Sequence, residues 1–66
     1  MNKGRVYPYR AGVGIEGYVL ERHIVWAKDM QEARSKAIST YLHPDKGYDY
    51  VEVQRIKKSE VQSYQV

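Results

Sequence analysis

Gly12, Gly14 and Gly17 stand in the spacing G-x-G-x-x-G. In dinucleotide-binding proteins that spacing lets a backbone approach a pyrophosphate, and a helix N-terminus directly after the glycines completes the site. Here the glycines run into Tyr18 to Ala27, a stretch of Tyr, Val, Leu, Ile and Trp that suits a pleated surface rather than a helix. The chain is also too short for a βαβ unit. The reading is a glycine-rich loop between two strands, with a backbone uncluttered enough to lie against a partner or a phosphate.

Two histidines, His23 and His43, fall on a strand and a turn without metal-ligand spacing, and there is no cysteine. A zinc site takes three or four oriented ligands, so neither a metal nor another cofactor is expected. Paired carboxylates working as acid and base need a pocket, which a chain of 66 residues scarcely builds. The expectation is a protein that is not an enzyme.

Cations and tyrosines are the more suggestive group. Arg5, Tyr7, Tyr9 and Arg10 mark the first strand, with Lys3 ahead of it. Tyr48, Tyr50, Arg55, Lys57 and Lys58 mark the last, and Arg34 and Lys36 project from a helix between. Rings on a sheet beside cations are how several single-strand binders stack bases and hold phosphates. Seven tyrosines with no phenylalanine equally suit half-buried or interface positions, since the ring is large and its tip polar. The formal net charge of +3 comes from 11 Lys and Arg against 8 Asp and Glu, and it favours an acidic partner of either kind.

The elements that must position these residues read in order. Arg5 to Arg10 alternates with a period of two, and Pro8 argues for an edge strand. Tyr18 to Ala27 is the longest strand; Leu20, Ile24 and Trp26 are assigned to its helix-facing side. Asp29 as N-cap with Glu32 three residues on resembles a capping box. Met30, Ala33, Ala37, Ile38 and Tyr41 make the apolar stripe of the helix that follows. His43-Pro44 ends it, and Pro44-Asp45-Lys46-Gly47 has the chemistry of a tight turn. A last strand runs from Tyr48 to about Ile56, with a bulge or an end near Arg55. The predicted fold is a single α+β domain over residues 1–66, in the order strand, strand, helix, strand. One helix packs on a three-stranded, mainly antiparallel sheet. The ordered core is expected over about 5–57; Ser59 to Gln62 offer the residues to cap a short terminal helix, but a loose tail over 58–66 is preferred.

One helix covers one face of such a sheet, and the open face is expected to be rich in tyrosine. The first functional expectation is a small non-enzymatic binding protein that inhibits or redirects a larger macromolecular machine by occupying an acidic protein surface. The second is a direct nucleic-acid binder; the third, a structural subunit of a ribonucleoprotein or virion. A domain this small is marginally stable, and without disulfides self-association is one way to add stability, so a homodimer is expected. The lack of cysteine fits a reducing cytoplasm. No apolar run approaches the roughly 20 residues of a membrane span and the N-terminus lacks a signal-peptide core, so no membrane partner is expected. No family is matched by motif. The outline loosely resembles small ribosomal and phage-encoded proteins, and the compact basic chain has the style of a phage inhibitor of a host factor.

Overall fold

The structure is a computed structural model, and it describes residues 5–62. Strand β1 spans Tyr7–Ile15 and β2 spans Tyr18–Ala27. Helix α1 spans Met30–Tyr41, a 3₁₀ turn Pro44–Lys46, strand β3 Tyr50–Arg55 and the short helix α2 Lys58–Val61. The three strands form one antiparallel sheet in the order β2-β1-β3, with α1 packed on it: a small α+β domain, as the sequence implies.

Strand β1 lies at the centre of the sheet, not at its edge. Pro8 is tolerated there because of where its missing donor falls. Ile56 donates its N–H to the Pro8 carbonyl at 3.2 Å, and proline has no N–H to return. By that point β3 has ended, at Arg55, so the ladder loses one bond just past its last rung. Trp26, opposite Pro8, then directs its own backbone groups away from β1, to the outer edge. There the Lys36 ammonium donates to the Trp26 carbonyl at 2.8 Å and blunts the edge strand.

The glycine run is strand as well. Gly12 and Gly14 are buried residues of β1, and the loop shrinks to Glu16-Gly17. Both of these residues are left-handed, with φ 52° and 85°, as a tight type I′ hairpin requires. The pairing passes from Val13↔Glu21 to Gly14↔Val19, so Leu20 is the extra residue of a β-bulge. The bulge swings Val19 over β1: a Cβ on Gly12 would sit 2.9 Å from Val19 Cγ1, and one on Gly14 only 1.7 Å from the Tyr18 carbonyl oxygen. These glycines answer the sheet's own packing and not a ligand.

Helix α1 starts as read. Asp29 Oδ1 accepts from the Glu32 N–H at 2.8 Å, and Glu32 Oε1 reaches back to the N–H of Lys28, one residue before the cap, at 2.7 Å. The apolar stripe is narrower than the sequence implies. Ala33 and Ala37 are fully buried and Tyr41 packs beside them, whereas Met30 and Ile38 are exposed. The helix rests on Tyr9, Ala11, Val25 and Ala27, with Tyr7, Val51 and Val53 around them. This reverses the face assigned to β2: Val25 and Ala27 point to the helix, while Leu20 and Trp26 are exposed. Two alanines bring the helix close to the sheet, and the sheet residues beneath must be small. Ala27 fits there and the Trp26 ring does not.

A loose tail from residue 58 is not what forms. Lys58–Val61 makes a helical turn with Val61 buried, and Glu60 Oε1 accepts from the Lys57 N–H at 3.1 Å. The remainder of the expected tail, 63–66, lies outside the described residues, as does Lys3.

The two hairpin glycines separate close packing from backbone conformation. Gly14→Ala is expected to abolish cooperative thermal unfolding, because its methyl group has no room. Gly17→Ala meets no atom within 4 Å and should cost only about 1–2 kcal/mol, the left-handed penalty. Circular-dichroism melting of both variants checks this; equal losses would refute the register.

Candidate binding cleft

Antiparallel pairing sets the end of β3 beside the start of β1, with Tyr9 opposite Arg55. The turn into α2 then brings two lysines to the same place. The result is a cleft of about 550 Å³ lined by Tyr7, Pro8, Arg55, Ile56, Lys57, Lys58 and Glu60. Pro8 and Ile56 are buried and form its base.

The Arg55 guanidinium lies over the Tyr7 ring at 3.9 Å from the centroid, with Tyr9 at 5.9 Å. A guanidinium over a ring face gains cation–π attraction and still has N–H donors for an anion. Among the described residues, no carboxylate lies within ion-pair distance of Arg55, Lys57 or Lys58. Glu60 is the one acid lining the cleft, and one of its oxygens is engaged by the Lys57 N–H. Elsewhere Lys36 pairs with Glu32 at 3.9 Å and Lys46 with Glu21 at 3.6 Å, while among the described residues Arg5, Arg22, Lys28 and Arg34 make no ion pair either; what distinguishes Arg55, Lys57 and Lys58 is that they line one cleft.

Four of the residues singled out in the sequence, Tyr7, Arg55, Lys57 and Lys58, therefore meet in one place. The others do not join them. Arg5 is exposed ahead of β1. Tyr9, at 4% exposure, is a core residue and not a surface ring. Arg10 donates to Gln54 Oε1. Tyr50 donates its hydroxyl to Glu52 at 2.7 Å, and Tyr48, ahead of β3, donates to Glu21 at 2.7 Å. Gly12 and Gly14 are enclosed in β1; Gly17 alone is exposed at the hairpin. Strand alternation puts Tyr7 and Tyr9 on the helix side and Tyr50 on the other. The open face is thus not rich in tyrosine: near Pro8, Trp26 and Ile24 it is apolar, and along β3 it carries Glu52 and Gln54.

The sequence reading passed over a cluster nearer the hairpin. Glu21 accepts from His23 Nε2 at 3.0 Å and from the Tyr48 hydroxyl, and Lys46 adds its charge. The His23 ring stacks on Tyr41 at 3.8 Å between centroids and 3° between planes. The only signal in the sequence was that Glu21 and His23, two apart on a strand, share a face. Tyr41 and Tyr48 arrive from α1 and from the segment after the 3₁₀ turn. Both Glu21 oxygens are engaged, so the cluster pins three elements together. The hydrogen bonds from His23 and then Tyr48 hold the Glu21 carboxyl down at about 2, and the bond to Glu21 raises the Tyr48 hydroxyl above its ordinary value.

Charge is unevenly spread along the strands. Glu16, Asp45 and Asp49 belong to the hairpin end, with Lys46 among them. Arg5, Arg55, Lys57 and Lys58 belong to the other, where Glu60 and, after Ala27 opposite Tyr7, Lys28, Asp29 and Glu32 also lie. Among the described residues no group of three or more His, Asp or Glu is placed to hold a metal, and no helix is long and apolar enough to cross a membrane. In comparison with known proteins, the chain matches no family model, and neither a curated protein nor a solved structure is significantly similar to it.

Because the folded Glu21 carboxyl titrates below its ordinary value, it contributes stability that is complete above about pH 4.5 and is lost as pH falls toward about 2. Glu21→Gln should flatten the melting temperature over that window, leaving the rest of the acid transition in place. An unchanged acid limb in the variant would contradict the cluster.

Proposed function

We propose that this protein is a non-enzymatic binding protein that works in the cytoplasm and inhibits or redirects a larger assembly by occupying an acidic patch on a protein surface. The observation that carries this reading is that three cations, Arg55, Lys57 and Lys58, line one cleft and make no ion pair among the described residues. The absence of cysteine supports a reducing compartment.

The tyrosines weigh against the rival reading, nucleic-acid binding. Stacking bases needs exposed, unoccupied ring faces. Tyr9 is buried and one face of Tyr7 is covered by Arg55, so the two rings nearest the cations are not open platforms. Fluorescence anisotropy with mixed-sequence single-stranded oligonucleotides at 150 mM salt should give no binding tighter than about 10 μM, weaker than nonspecific binders at the tight end of their range. Sub-micromolar, sequence-tolerant binding would overturn the reading in favour of nucleic acid.

The reading includes a homodimer. Tyr18, Leu20 and Trp26, exposed by 74%, 58% and 39%, put apolar surface along β2, where a second copy would pack. Sedimentation equilibrium should show association in the micromolar range, weakened by Leu20→Glu. A strict monomer to millimolar concentration would remove the dimer from the proposal.

A further inference from the structure

We infer that the cleft between β1, β3 and α2 recognises an acidic peptide segment carrying one apolar anchor residue, with the anchor seated in the cleft and carboxylates on both sides of it. The inference rests on the acidic-partner reading and adds the form of the ligand. Two observations of different kind support it.

The first is shape and lining. At about 550 Å³ the cleft lies within the range of about 300–1,000 Å³ typical of ligand pockets. That is more room than a carboxylate needs and enough for one aromatic or branched side chain. Its lining offers apolar surface to an anchor: half-buried Tyr7, buried Pro8 and Ile56, and the aliphatic stems of Lys57 and Lys58. A site for a bare anion would have no use for such a base.

The second is the kind of cation at each place. Arg55 is held by its stack on Tyr7, so little rotamer freedom remains to be lost when its edge meets a carboxylate in a bidentate pair. Lys57 and Lys58 are exposed point charges on flexible stems and suit carboxylates whose position varies. Arg55 ends β3 and Ile56 follows it directly, and both line the cleft with Lys57 and Lys58. The cation and the apolar residue therefore border one space, and a peptide in the cleft meets both. Opposite charge around a desolvated anchor is how a short segment gains both affinity and register.

The test uses the full chain and three labelled peptides followed by fluorescence anisotropy at 150 mM salt: EDEWDED, EDEGDED and KRKWKRK. A mixed-sequence single-stranded DNA dodecamer is the fourth probe. EDEWDED is expected to bind with a micromolar Kd and EDEGDED at least about tenfold more weakly, with KRKWKRK not binding. Lys57→Glu and Lys58→Glu, both at exposed positions and checked for unchanged circular dichroism, should each weaken EDEWDED by about tenfold or more. Amide shifts on titration should centre on Tyr7, Ile56 and Lys57. If EDEGDED binds as well as EDEWDED, the anchor falls while an acidic partner stands. If neither acidic peptide binds, or the dodecamer binds more tightly than both, the cleft inference and the acidic-partner reading fall together. Shifts centred on Leu20 and Trp26 would move the site to the open face and overturn the inference alone.

Discussion

Everything in this small domain depends on how closely α1 lies on the sheet. The helix presents Ala33 and Ala37, and the sheet meets them with small Ala11, Ala27 and Val25 beside one large buried ring, Tyr9. Small side chains bring backbones together and let a thin layer of apolar atoms exclude water, which a domain with no disulfide needs. The same closeness decides which face of β2 is inside. Leu20 and Trp26 are larger and more apolar than Ala27, yet they lie outside because the gap under the helix has no room for them.

A second constraint follows at the hairpin. The bulge at Leu20 takes one residue out of register, and Val19 crosses over β1 in consequence. Gly12 and Gly14 leave the space that this crossing uses. Beside the bulge, the bonds among Glu21, His23 and Tyr48 and the stack of His23 on Tyr41 tie β2, the end of α1 and the segment before β3 together. The hairpin end is thereby closed by internal polar contacts, with the Glu21 and Asp49 carboxylates engaged within the molecule.

The opposite end is arranged in the reverse sense. There the chain brings together Arg55, Lys57 and Lys58, none of them ion-paired among the described residues, around a cleft that Pro8, Ile56 and Glu60 also line. A modest net charge of +3 conceals this asymmetry. Separated charge of this kind orients an approaching partner as well as attracting it, and it gives a molecule without recognised relatives one end on which a functional reading can stand.

How much of this was legible in the sequence differs by element. Asp29, Glu32 and Pro44 bound α1 in the sequence as in the structure, since caps and proline act through neighbouring backbone atoms. The three strands and their antiparallel order are legible in the same way, as is the end of β3 near Arg55. The candidate site was legible only in part: the cations and Tyr7 were named, but not that Arg55, Lys57, Lys58 and Tyr7 share a cleft, nor that Tyr9 is core. Those facts depend on which strand lies in the centre, on the bulge at Leu20 and on the turn that carries α2 back over Ile56. The sequence by itself determined the bounds of β2 and α1 and which residue types the elements offer, because those signals are local, but not that β1 runs on through the glycines to Ile15. Only the tertiary structure decided which faces are buried and which cations meet, because a two-residue period has no preferred side until another element packs against it.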